Sequence, residues 1–378
     1  MADTAERQQL ALDSVHTGLL DCVQVNLAVL ADHHYGPGTH LRLGAALHFR
    51  SWEGANGLPT VDPPLAEHLD AAPRLLGLRV ATRERLPRAA MATALAERGG
   101  THYAVADSFH LPWLPYHGQA HMEHSFLIAA GDGGWHITDA YRSETQWGPA
   151  EPGHWLLSAK DLAGIESADV LTLERTGEPL PAAPPVLSVD EAAVQEYLDA
   201  YDACPDRPRA VERLTVETWL LARARKLHAK YRARCAGRSE ETDAERAHLH
   251  AWDKVVEQTY LAHRRVARGR AEPPGLVDRL REALAADRTI FRAGPAVSPA
   301  PDDDALRDRV AAVAGAVLGV PAGDLLTGAP LDSFASFSSF RLIEIIERLE
   351  SELDREFDAD LLIPENLRRV DDLCRLAR

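Results

Sequence analysis

Residues 104–141, AVADSFHLPWLPYHGQAHMEHSFLIAAGDGGWHITDAY, constrain the fold more than any other stretch of this chain. Two apolar runs, 125–130 and 135–138, flank Gly131-Asp132-Gly133-Gly134, and an earlier apolar run ends in Asp107. A Gly-rich turn between two apolar runs is a hairpin signal, so an antiparallel sheet is expected here. The same order sets His124 at the start of one strand and Asp139 at the end of its neighbour. A carboxylate so placed can orient an imidazole. Far upstream, Asp21-Cys22 precedes a helical pattern with apolar Val23, Leu27, Leu30 and Ala31. A cysteine at a helix start plus a His–Asp hairpin is the layout of a thiol nucleophile, its base and the group that orients the base. Cys22, His124 and Asp139 are therefore the candidate catalytic residues.

The 378 residues are expected to form two or three domains of α+β class. Residues 1–180 are mixed, with helices expected near 22–33, 64–76 and 88–98 and short apolar stretches at 41–49, 77–81 and 103–106. Tyr35-Gly36-Pro37-Gly38 stops the first helix. The segment 180–187, LPAAPPVL, reads as a Pro-rich linker. Residues 188–292 read as helical, with Ser188 and Asp190 as caps and patterns over 210–235, 243–268 and 274–291. Residues 293–303 read as a second linker, and 304–378 as a compact helical unit.

A net charge of −16 argues against a nucleic-acid surface and against attraction to an anionic membrane. Half of that charge lies in residues 302–378. Four scattered cysteines, a polar N-terminus without a signal-peptide pattern and no long apolar run lead us to expect a soluble, cytoplasmic protein. The basic run 207–234 reads as a solvated helix face, or else as a surface for an acidic partner or a phosphate.

In the last unit, Leu306, Val310, Val313 and Val317 recur at helical spacing, as do Phe340, Ile343, Ile346, Leu349 and Leu353, and Val370 to Leu376 makes a short final helix. SSFRLIEIIERLESEL and DADLLIPENLRRVDDL resemble the carrier-serine helix and third-helix region of acyl and peptidyl carrier proteins, over nearly all of 302–378. The resemblance implies 4′-phosphopantetheine attached to Ser339, with a phosphopantetheinyl transferase and an acyl-loading ligase as partners. The family usually has Asp before that serine, and here Ser338 stands there. Ser333, in Asp332-Ser333-Phe334, is the other possible attachment point, six residues earlier. An unmodified docking domain also stays open.

DCVQVNLAVLADHHYG resembles the nucleophile helix of papain-like bacterial cysteine peptidases. More broadly, residues 15–145 resemble the N-terminal domain family of butirosin biosynthesis protein H, through DC…LAVL…YG at 21–36, LRLGAALHF at 41–49 and VADSFHLPWLPYHGQAHMEHSFLIAAGDGGWHITD at 105–139. That family implies a papain-like fold acting as an acyltransferase from a carrier thioester to an amine. Carried over by position, Cys22 is the nucleophile, His124 the base and Asp139 its orienter, while Asp107 lines the cleft. The upstream Gln of the papain pattern has no near counterpart, since Gln8 and Gln9 are too distant. His16, six residues before Cys22, is the candidate oxyanion donor together with the Cys22 N–H. Partners implied are a small-molecule amine or hydroxyl acceptor and, in one version, a separate carrier protein. A thioesterase or peptidase with the same three residues, and a non-catalytic scaffold, remain alternatives. His117, His121 and His124 form an HxxxHxxH pattern, but Gly118 interrupts it and only Glu123 is a nearby acidic ligand, so no metal is assigned.

Overall fold

The computed structural model describes residues 10–54, 57–177, 180–292, 301–327, 329–334, 336–353, 357 and 367–376. The fold is α+β and divides into two compact units, 1–293 and 294–378.

The first unit is built on a six-stranded antiparallel sheet. Its order is Gly153–Leu157, Gly134–Asp139, Glu123–Gly131, Thr101–Asp107, Ser167–Arg175, Leu78–Pro87. The expected hairpin closes through the two-residue turn Asp132-Gly133, where Gly131 pairs with Gly134 and Gly133 takes φ 86°. The neighbouring pair aligns Ala106 with His124 and Asp107 with Glu123. Tyr103, Ala104, Phe126, Leu127, Ile128 and Ile137 are buried, so the sheet centre is apolar on both faces.

Helix Gln24–Tyr35 packs into the same core, with Val25, Leu27, Ala28, Val29 and Ala31 all at or below 1% exposure. The Tyr103 hydroxyl donates to Val23 O at 3.0 Å, tying the helix start to the sheet. Helices Leu65–Leu76 and Arg88–Arg98 match the expected segments closely.

The apolar stretch 41–49 falls on a 3-10 turn, Thr39–Gly44, and the strand Ala46–His48 that follows it. Two expectations change. The Pro-rich segment 180–187 is not a free linker, because Val186–Ser188 pairs in parallel with Ala46–His48. Residues 188–292 are helical as read, as Glu191–Ala203, Arg207–Cys235, Asp243–Val266 and Leu276–Ile290, but they belong to the first compact unit. The physical reason lies in the basic run. Arg223 donates to Thr17 O, Leu20 O and Arg142 O, His228 Nδ1 donates to Gly44 O at 2.7 Å, and Arg234 donates to Gly38 O at 2.9 Å. Other members close ion pairs, Arg207 with Glu272, Arg225 with Asp287 and Arg232 with Glu245. Much of what read as a solvated face is structural.

The second unit has its own core of Val310, Ala314, Leu318, Ile345, Leu349 and Leu373. It comprises Pro301–Leu318, Ala322–Leu326, the 3-10 turn Leu331–Ser333, Ser339–Leu353 and Val370–Leu376. Of the third-helix region read at 358–373, residues 358–366 lie outside the described residues, as does most of the linker read at 293–303. No described helix is long and apolar enough to cross a membrane.

Candidate active site

Asp21-Cys22-Val23-Gln24 forms a reciprocal cap. Asp21 Oδ1 accepts from the N–H groups of Val23 and Gln24 at 2.9 and 2.7 Å, and Gln24 Oε1 accepts from Asp21 N–H at 3.4 Å. Helical bonding starts there, with Val25 N–H on Asp21 O. Cys22 is thus fixed in the turn that opens the helix. Its sulfur lies 3.7 Å from Glu123 O, and its own carbonyl accepts from Ser125 Oγ. Cys22 therefore touches both chain neighbours of His124.

His124 is fully buried. Its Nε2 bonds Asp139 Oδ2 at 2.8 Å, and its Nδ1 is buried with no hydrogen-bond partner. The ring meets Tyr141 edge-on at 5.1 Å. Asp139 is satisfied on both oxygens. Trp113 Nε1 donates to Oδ2 at 2.9 Å, while Tyr141 N–H and the Asn26 amide donate to Oδ1 at 3.0 and 3.3 Å. Burial raises the Asp139 carboxyl, but His124, Trp113 and the Tyr141 N–H outweigh it and hold the group below the ordinary carboxylate range.

Cys22 is opposite in sign. Burial pushes its thiol well above the ordinary range, and the carboxylates of Asp21, Asp62 and Asp139 push the same way, against its own N–H. The resting group is a thiol, so any nucleophilic role needs a base at the moment of attack.

The helical region reaches this site through Arg223. Its guanidinium joins the segment before Cys22, at Thr17 O and Leu20 O, to the segment after Tyr141, at Arg142 O, and it lies 4.0 Å over the Trp219 ring.

The remaining site candidates are placed as follows. Asp107 bonds His121 Nδ1 at 2.6 Å and caps the following turn through Phe109 N–H. It lines a cavity of about 290 Å³ with Arg85, His121, Glu123 and Asp169, and Glu123 is the residue whose carbonyl meets the Cys22 sulfur. The His16 ring Nδ1 bonds His40 Nε2 at 2.9 Å, and His40 in turn bonds Asp32. The three histidines of the HxxxHxxH pattern diverge, since His121 goes to Asp107 and His124 to Asp139. Among the described residues no group of three His, Cys, Asp or Glu side chains is gathered to hold a metal ion. Ser333 is exposed in its 3-10 turn, and its Oγ donates to Pro330 O at 2.5 Å. Ser339 opens its helix behind Ser338, whose Oγ accepts from Arg341 N–H at 3.3 Å.

Sequence reasoning missed Asn26, Trp113, Ser125 and Arg223. Asn26 carried a faint signal, a carboxamide inside the otherwise apolar run VQVNLAVL four residues after the cysteine. Trp113 and Ser125 had none, and Arg223 stood only as one member of the basic run 207–234.

Comparison with known proteins adds no kinship to this geometry: no family model matches the chain, and no curated protein matches it significantly.

Proposed function

We propose that this chain is a cysteine-dependent acyltransferase, with a papain-like site on the first unit and a carrier-type second unit. It moves an acyl or aminoacyl group from a carrier thioester to an amine or hydroxyl acceptor. The observation that carries the reading is His124, buried, bonded at Nε2 to Asp139 and bare at Nδ1, beside the turn that holds Cys22.

The chemistry follows from the protonation states. Because Cys22 rests as a thiol, its proton moves to His124 Nδ1 as the sulfur attacks the thioester carbonyl. The carbonyl oxygen takes the negative charge, and the Cys22 N–H at the helix start is the donor nearest in sequence to receive it. Collapse breaks the bond to the departing sulfur, which takes the proton from His124, and leaves an acyl group on Cys22. An amine then attacks, His124 accepts its proton, and the amide leaves as Cys22 regains that proton. Asp139 stabilises the imidazolium in both halves without being protonated. Thioester to thioester exchange is nearly isoenergetic, and aminolysis is downhill.

We assign the phosphodiester to position 339. The residue starts a fifteen-residue helix, whose positive end favours an anion. Phe340 and Ile343 at the same end are 85% and 52% exposed, an apolar contact for a partner enzyme. Bound there, 4′-phosphopantetheine supplies the thiol on which acyl groups are held. The partners are then a phosphopantetheinyl transferase and an acyl-loading ligase.

Incubation with a phosphopantetheinyl transferase and coenzyme A, followed by intact mass, tests the carrier half. The expected gain is one prosthetic arm, mapped to Ser339 and lost in Ser339→Ala but not in Ser333→Ala. An unchanged mass, or an arm on Ser333, refutes that assignment.

A further inference from the structure

We infer that Asn26 is a positioning residue for the Cys22 site, a single buried amide that fixes the nucleophile helix against both the His124 strand and the Asp139 strand. Its chemical consequence rests on the acyltransferase reading; its geometry rests on hydrogen bonds alone.

Asn26 follows Cys22 by four residues and lies in the first turn of the helix that begins at Gln24. It is fully buried, where an unsatisfied amide costs about 1–3 kcal/mol. Every group on it is satisfied. Nδ2 donates to Ser125 O at 2.9 Å, to Ser125 Oγ at 3.1 Å and to Asp139 Oδ1 at 3.3 Å. Oδ1 accepts from Ala140 N–H at 3.1 Å. The Ala140 donor and the Asp139 acceptor fix the amide orientation, because a flipped group would face N–H with NH₂ and carboxylate with carbonyl.

Ser125 extends the link. Its Oγ accepts from Asn26 and donates to Cys22 O. A closed path therefore runs from the Cys22 carbonyl through Ser125 and Asn26 to Asp139, and Asp139 holds His124. Sliding the helix along the sheet breaks several of these bonds together. Displacement of about 1 Å at a reacting pair can cost on the order of a hundredfold in rate.

The test compares the full-length parent with Asn26→Leu, Ser125→Ala, their double variant and His124→Ala. The probe is alkylation of Cys22 by iodoacetamide at pH 7, located by peptide mass spectrometry, beside acyl turnover and the thermal midpoint. Asn26→Leu is expected to alkylate as slowly as His124→Ala and to lose about a hundredfold in kcat with KM nearly unchanged. Ser125→Ala loses less, and the double variant loses no more than Asn26→Leu, because the two residues act as one unit. A folded Asn26→Leu that alkylates at the parental rate overturns the inference. So does a double variant whose loss is the product of the single losses, or a His124→Ala variant that alkylates normally. Where Asn26→Leu fails to fold, Ser125→Ala decides, and a parental alkylation rate in it overturns the inference. A parent without acyl turnover whose variants still separate by alkylation removes the acyltransferase reading and leaves the clamp standing.

Discussion

Cys22 sits among carboxylates, and that sets when its proton can leave. Burial comes first, then Asp21, Asp62 and Asp139, and all four favour the thiol. Asp62 is itself pushed up to about 6, by desolvation and by Asp21. Its charge therefore appears as the pH rises through about 6, and above that it makes Cys22 harder to ionise. Alkylation of Cys22 should climb with a midpoint above the ordinary thiol range near about 8.5. Asp62→Asn should speed alkylation roughly twofold at pH 7.5 and leave it unchanged below about pH 5, where Asp62 is already neutral. Equal rates for parent and variant at pH 7.5 would contradict this. At this scale the pairing of His124 with Asp139 was legible, because a hairpin fixes which strands are neighbours. Trp113 was not. It reaches Asp139 from a Pro- and aromatic-rich loop, and nothing local marks one aromatic there as a donor to a carboxylate.

Elements with strong periodicity were readable nearly to the residue, as with Leu65–Leu76, Arg88–Arg98 and the hairpin strands. Some segments escaped because their partner is distant in sequence. The stretch 41–49 is apolar enough for a strand, yet its first half tightens into a 3-10 turn against helix Arg207–Cys235. Gly44 is the point of closest approach. A methyl added there would lie 2.5 Å from Leu227 O and 2.8 Å from its carbonyl carbon, backbone that cannot swing aside. Gly44→Ala should therefore destabilise the first unit by about 1–3 kcal/mol, seen as a thermal midpoint lower by several degrees. An unchanged midpoint would show that the helix is not seated as described. The short strands Ser143–Thr145 and Gly148–Ala150 escaped notice for a different reason, since neither carries an alternating apolar pattern.

Across the whole molecule, the chain divides at 293/294, where the second linker was read, and does not divide at the Pro-rich segment 180–187. Residues 191–290 join the first unit because arginines and a histidine on one long helix reach backbone carbonyls across it, and a charge run does not announce that role. The acid response of the protein follows from its buried carboxylates. Burial raises Asp32, Asp139 and Asp287, but His40, His124 and Arg225 respectively reverse this and hold all three below their ordinary values. An unfolded Asp titrates near about 3.9, so this contribution to stability is full above about pH 5 and is withdrawn as the pH falls through the lower folded values. The thermal midpoint should decline below about pH 6.5, because buried His228, pushed down to about 4 by desolvation, takes up a proton on unfolding, and it should fall more steeply below about pH 4; a level midpoint down to pH 3 would contradict it.

The central claim is that Cys22 carries the acyl group during transfer. Its most direct measurement is peptide mass spectrometry of the full chain, quenched in acid after brief exposure to an acyl thioester of pantetheine without an amine acceptor. The expected result is one acyl mass on the peptide holding Cys22, discharged by added amine, and missing from Cys22→Ala. An acyl-free Cys22 peptide in a preparation that turns over, or undiminished turnover in Cys22→Ala, would contradict the account.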